Sequence, residues 1–145
     1  MEESLTRGID EVFGLKERDW SQYSPLTLAY IGDDVYDLII RTIFVKQANR
    51  QVNKLHRLTA QLVRAKTQAA IVAAILPDLT EEEAAVYRRG HNSNPHTIAK
   101  NASRREYLEA TGFEALIGYL YLQRRNERLL TLTRTGLERI GMLPV

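Results

Sequence analysis

Apolar positions in this chain recur at helical spacing, and serine, threonine, proline and glycine punctuate them. Ser24 followed by Pro25 predicts a helix start: serine suits the N-cap, and proline suits the first helical position, where no backbone N–H is needed. Residues 26–45 then read LTLAYIGDDVYDLIIRTIFV, apolar on nearly every face, which predicts a helix in the protein interior. Residues 49–53 are a polar break. Residues 54–76 predict a helix in two pieces, bent near residues 65–67. Leu55, Leu58, Leu62 and Val63 are expected inward in the first piece, and Ile71, Ile75 and Leu76 in the second; Pro77 ends it. Thr80 predicts the next cap, followed by Glu81, Glu82 and Glu83, where negative charge favours the helix dipole. Gly90 is expected to stop that helix.

Residues 91–102, HNSNPHTIAKNA, predict a loop. Ser103 predicts the cap of a long helix to about Arg125, and Asn126 the cap of a last one to about Ile140. No alternating run long enough for a strand, internal repeat or low-complexity stretch interrupts this pattern. The expected fold is all-α. A single domain is expected over residues 1–145, with residues 1–23 as an extension holding at most one short helix.

Composition narrows the chemistry. With 44% hydrophobic and 26% charged residues the chain can bury a core, which excludes a disordered class. It has no cysteine, so disulfides, thiolate zinc sites and cysteine nucleophiles are excluded together. Glu2, Glu3, Asp10, Glu11, Glu17 and Asp19 do not suit a signal peptide. Asp33, Asp34, Asp37 and Glu114 interrupt the longest apolar runs, so no membrane partner is expected and a cytoplasmic location is. The net charge is only +2, but its distribution is uneven. Residues 1–50 hold six Lys/Arg against nine Asp/Glu, whereas residues 84–107 hold five basic residues against the single Glu106. A basic stretch beside an acidic helix suits a protein that holds a polyanion near a cation; an ordinary solvated loop would read the same way.

Two carboxylates stand where carboxylates are costly: Asp33 in the most apolar helix and Glu114 within GFEALIGYLYL. Burying an unpaired carboxylate costs several kcal/mol or forces it to its neutral form. A divalent cation would offset that cost, and hard Mg²⁺ prefers carboxylate oxygen and water. The competing reading is a buried ion pair, Asp33 with Arg41 and Glu114 with Arg104 or Arg105. Gly32 beside Asp33, and Gly112, Ala115 and Gly118 around Glu114, favour two closely approaching helices that share an ion. Asp37 lies one turn beyond Asp33 and is a further candidate ligand, an orienting group or a surface acid. Asp34 points elsewhere. His56, His91 and His96 lack metal-ligand spacing, and neither a nucleophile elbow nor a phosphate-cradling glycine loop is present.

These residues fall into recognisable segments. Ala29-Tyr30-Ile31-Gly32-Asp33-Asp34 resembles the ribonuclease III signature, roughly E-F-[LI]-G-D-[AS]. Phe113-Glu114-Ala115-Leu116-Ile117-Gly118-Tyr119-Leu120-Tyr121-Leu122 resembles its second signature, F-E-A-L-[IL]-G-A-[IL]-Y-L. The variants resemble the Mini-ribonuclease III family in particular, with L-A-Y-I-G-D near the start and F-E-A-L-L-G-Y-L near the end. Leu55-His56, Ala65-Lys66-Thr67-Gln68-Ala69, Glu81-Glu82-Glu83, Arg89-Gly90-His91-Asn92 and Lys100-Asn101 match in the same order, so the resemblance covers residues 26–128.

The resemblance implies an all-α catalytic domain and a homodimer with one cleavage centre per subunit. It implies a magnesium-dependent endoribonuclease that hydrolyses double-stranded RNA, leaving 5′-phosphate and 3′-hydroxyl ends. Asp33 and Glu114 match the family's catalytic, magnesium-binding acids. Ribonuclease III carries two further acids, where this chain has Ala29 and Thr111. Water, RNA phosphate or Asp37 would then complete the coordination. Tyr30 holds the place of the aromatic residue that docks into the partner subunit. The substrate implied is the precursor of large-subunit (23S) ribosomal RNA. The chain ends at Val145, straight after its last helix, so RNA contact is expected from the catalytic domain itself. The candidates are Arg88, Arg89, Asn92, Lys100, Asn101, Arg104 and Arg105, with Arg64 and Lys66; Arg, Lys and Asn donors suit A-form RNA, which is read by shape. The rival reading, kept open by Ala29 and Thr111, is an inactive helical dimer that binds structured RNA or a ribosomal protein. Intact Asp33 and Glu114 argue against it.

Overall fold

The computed structural model describes residues 4–93 and 103–145. Among these, seven α-helices form and no strand does: α1 (Leu5–Phe13), α2 (Pro25–Gln47), α3 (Val52–Val63), α4 (Ala65–Ile75), α5 (Glu81–His91), α6 (Arg104–Leu122) and α7 (Asn126–Arg139). Short 3₁₀ turns lie at Trp20–Gln22 and Leu76–Asp78. The fold is all-α, as expected. No helix among the described residues is long and apolar enough to cross a membrane.

The helix starts are local chemistry. Ser24 caps α2 by accepting from the Thr27 N–H, with Pro25 at the first position. Thr80 with Glu83, and Ser103 with Glu106, form reciprocal capping boxes at α5 and α6. The two-piece helix divides at Arg64, whose extended backbone separates α3 from α4.

Other expectations need correction. Gly90 does not stop α5, which runs on to His91 with Asn92 as its C-cap. Gly90 is buried instead: a methyl there would come within 2.8 Å of the Ala115 Cβ and 2.9 Å of the Gly112 Cα. It is a packing glycine, not a capping one. Leu76 is exposed rather than inward, because the helix tightens into the 3₁₀ turn at that residue and turns it outward. α6 ends at Leu122, three residues early, and Asn126 opens α7 without capping it.

α2 and α6 form the centre of the fold, antiparallel and in backbone contact. A methyl on Gly32 would collide with the Glu114 carbonyl oxygen, and one on Gly118 with that of Leu28. Small residues therefore let these two backbones meet, with Tyr36 edge-on to Phe113 one turn further along. α3 packs on α2, while α4 and α5 pack on α6. α7 closes the core through Gly136, which lies against Ile71.

α2 is not enclosed on all sides. Leu28, Gly32, Val35, Tyr36, Ile40 and Phe44 are buried, but Leu26, Tyr30, Leu38 and Val45 are exposed, Tyr30 by 80%. The all-round apolar pattern thus reflects one face in the core and one apolar face left open, rather than a wholly interior helix.

Candidate active site

Asp33 follows Gly32, at the closest approach of α2 to the Glu114 backbone. The two carboxylates lie within hydrogen-bonding reach across this seam. Asp33 is exposed and Glu114 partly buried. The expectation that both acids are buried therefore fails for Asp33, which sits on the open face of α2. Burial, the neighbouring Asp33 carboxylate and its negative charge push the Glu114 carboxyl up to about 9. The pair thus retains a proton at neutral pH.

Among the described residues no basic side chain pairs with either acid. Arg41 pairs with Asp37, one turn along α2, at 3.0 Å, and Arg105 pairs with Glu109 at 3.1 Å. Neither proposed ion pair, Asp33 with Arg41 or Glu114 with Arg105, is formed. Among the described residues no group of three or more His, Cys, Asp or Glu is placed to hold one ion, so Asp37 does not join Asp33 and Glu114 in a three-acid cluster. Ala29 and Thr111 are both buried. The Thr111 hydroxyl donates to the Tyr107 carbonyl at 2.9 Å and points back along its own helix. Two hard oxygen ligands on facing helices, with no cationic partner among the described residues, fit a magnesium ion that retains much of its water.

A residue outside the expected set completes the site. Gln68 is only 2% exposed, and its amide lies beside Glu114, opposing the upward shift. Its Nε2 donates to the Val63 carbonyl at 3.0 Å. Its Oε1 is buried without a partner. The signal was present in the sequence: Gln68, Ile71, Val72 and Ile75 form one helical stripe, and all four are buried. A polar residue on a core stripe needs a reason to be there.

The basic candidates lie at different distances from this seam. Arg88 and Asn92 are exposed near the end of α5, and together with Arg89 they line an open hollow beside Ser24 and Leu26. Gly90 touches Gly112 and Ala115, which places that end of α5 within a turn of Glu114 on α6. The Arg89 guanidinium lies 5.9 Å from the Trp20 ring centre. Arg64 and Lys66 are exposed where α3 gives way to α4, next to Gln68 in sequence. Arg104 is exposed at the start of α6. Arg105 is also exposed but engaged with Glu109. Lys100 and Asn101 lie outside the described residues.

Comparison with known proteins places this arrangement. The model of the family described as "Ribonuclease III domain" matches residues 26–125. The chain is 44% identical over 126 residues to the Mini-ribonuclease 3 of Enterococcus faecalis, covering 86% of this chain and 96% of that protein. It is 49% identical over 114 residues to the Mini-ribonuclease 3 of Clostridium tetani, covering 78% of this chain and 76% of that one. A crystal structure of a Fusobacterium nucleatum protein superimposes with a TM-score of 0.75 at 33% identity, covering 81% of this chain and 90% of that one.

Proposed function

The chain belongs to the ribonuclease III family as an endoribonuclease of the Mini-ribonuclease 3 kind, and on that premise we propose that Asp33 and Glu114 together bind Mg²⁺ and cleave double-stranded RNA. The observation that carries the reading is the meeting of these two acids across the α2/α6 seam, where no basic side chain among the described residues pairs with them. A bound Mg²⁺ supplies a Lewis acid that activates water at neutral pH and offsets the charge building on the phosphate. To hold the ion Glu114 would have to be ionised, its proton passing to solvent, because a ligating carboxylate must be deprotonated. Asp33, exposed at the edge of the seam, presents the pair to RNA. Two protein carboxylates leave room for water and an RNA phosphate oxygen.

RNA is held by Arg64, Lys66, Arg88, Arg89, Asn92, Arg104 and Arg105, with Lys100 and Asn101 as further candidates. The basic residues neutralise phosphates, and Asn92 and Asn101 offer hydrogen bonds to 2′-hydroxyls. The substrate is the precursor of 23S ribosomal RNA. The enzyme acts as a homodimer through the open apolar face of α2, where Tyr30, 80% exposed, enters the partner subunit. It works in the cytoplasm.

The decisive experiment uses a ribosomal-precursor stem in Mg²⁺. Wild-type protein should cut it to 5′-phosphate and 3′-hydroxyl ends, and Asp33→Asn and Glu114→Gln should each lose about a thousandfold in rate, the equivalent of roughly 4 kcal/mol. Cleavage by Asp33→Asn at the wild-type rate would remove the site from this seam.

A further inference from the structure

We propose that Gln68 is a positioning residue for Glu114, its amide fixing the carboxylate so that one oxygen is held and the other faces Asp33 and the ion. The inference rests on the reading of Asp33 and Glu114 as the metal pair.

The break at Arg64 leaves the last carbonyls of α3 without helical partners, and three side chains take them up. The Thr67 hydroxyl donates to Gln61 O at 2.6 Å, the Tyr36 hydroxyl to Leu62 O at 2.7 Å, and Gln68 Nε2 to Val63 O at 3.0 Å. A hydroxyl has no second donor after that one donation, although it can still accept, as Thr67 does from Arg64 Nε at 3.5 Å. An amide keeps a second N–H and an oxygen.

Capping alone does not account for an amide at this position. The Oε1 of Gln68 is buried and unpartnered, a deficit of about 1–3 kcal/mol for a group of this kind. A side chain chosen only to close α3 would not carry that deficit. Against Glu114 the amide has a use. With one N–H tied to Val63 its plane is fixed, and the proposed role of the second N–H is to hold the Glu114 carboxylate beside it. The α3–α4 junction thereby sets the rotation of a carboxylate on α6. Groups that orient a metal-ligating side chain in this way typically change metal affinity 10- to 100-fold when removed.

The test compares two α3 caps, only one of which also meets Glu114. Gln68→Met fills similar space without an amide, and Tyr36→Phe removes the neighbouring cap. Mn²⁺ serves as the probe, titrated calorimetrically into the RNA-free protein, with thermal melts to follow stability. Both variants should melt lower than wild type. Only Gln68→Met should weaken Mn²⁺ binding, by about tenfold or more, and raise the Mg²⁺ concentration needed for half-maximal cleavage in parallel. Wild-type Mn²⁺ affinity in Gln68→Met, or equal weakening in both variants, would leave Gln68 a structural cap only. If Gln68→Met does not fold, Gln68→Asn poses the same question, because its shorter side chain draws the amide back from Glu114. Asp33→Asn in the same titration separates the two claims. Unchanged affinity there overturns the metal pair itself. Loss there, with unchanged affinity in the Gln68 variant, overturns only the positioning role.

Discussion

Glu83 and Glu114 are both glutamates packed against the core, and the structure treats them in opposite ways. The Glu83 side chain is fully buried, yet Arg128 grips it with two hydrogen bonds of 2.9 and 2.8 Å, and its Oε1 also accepts from the Thr80 N–H. Although burial alone would raise its carboxyl, the Arg128 hydrogen bonds, the Thr80 bond and nearby positive charge hold it below the usual range. Glu114 keeps some exposed surface, but burial of its carboxyl and the Asp33 acid beside it push it up to about 9. Burial raises both carboxyls; what separates them among the described residues is that Glu83 has a cation and Glu114 does not. Glu83 closes a clasp between α5 and α7, a structural use of charge. Glu114 is kept in place by backbone, through Gly32, and is left with an appetite for positive charge.

The comparison is broken most forcefully at Arg128. Arg128→Ala leaves Glu83 buried without its cation and also removes the bond from Arg128 to the Asp78 carbonyl. Removing one partner of a buried pair should cost about 3 kcal/mol, the low end of the usual range because Arg128 itself is 30% exposed. In a chain of 145 residues that lowers the melting temperature by roughly 10 °C. Cleavage per folded molecule should not change below the new melting point. A loss of rate without a loss of stability would show that the clasp belongs to the site after all.

Acidity separates the two regions more finely. Glu83 has a lowered carboxyl, so its contribution is present above the unfolded value of 4.5 and is lost as the pH falls through its folded value. Glu114 has a raised one. The folded metal-free protein keeps its proton up to about pH 9, whereas the unfolded chain releases it near 4.5. Its contribution is thus fully present below 4.5 and drains away as the pH climbs to about 9. Glu114→Gln should remove that decline, leaving the metal-free variant more stable than wild type at pH 9. The gain should be on the order of 2 kcal/mol, reduced from the full linkage because exposed Asp33 lets solvent screen the pair. Melting curves at pH 5 and pH 9, without divalent cations, check both the sign and the size.

The same contrast explains what the sequence disclosed. Caps are short-range, so Ser24, Thr80 and Ser103 could be read directly, and with them three of the seven helix starts among the described residues. Gly90 was misread because a glycine near a helix end suits a C-cap and a close approach equally well, and only the partner helix distinguishes them. The suspicion of Asp33 and Glu114 rested on burial, a premise that holds only for Glu114. Asp33 is exposed, since an apolar stripe of α2 faces outward beside it. Glu83 showed nothing of its burial: it stands in a run of three glutamates, and its partner lies 45 residues later. Gln68 was visible only as a letter within a matched segment, because its Val63 and Glu114 partners come from the α3 end and from α6. Pairings across long sequence separations were what the linear reading could not supply.

Asp37 gives the smallest effect and the sharpest discrimination. It stands one turn from Asp33, and by spacing alone it is as good a ligand as Glu114. Its circumstances resemble those of Glu83 instead: it has a cation, Arg41, at 3.0 Å. That pair is largely exposed on the Arg41 side, so Asp37→Asn should cost only about 0.3–0.5 kcal/mol. If an acid with its own base is a structural acid, the variant should keep Mn²⁺ affinity and cleavage within about twofold of wild type, far from the thousandfold expected at Asp33. A tenfold loss of Mn²⁺ affinity in Asp37→Asn would mean that Arg41 yields to the ion. The rule drawn from Glu83 and Glu114 would then fail on the exposed face of α2, where a salt bridge is weak enough for a divalent cation to displace it.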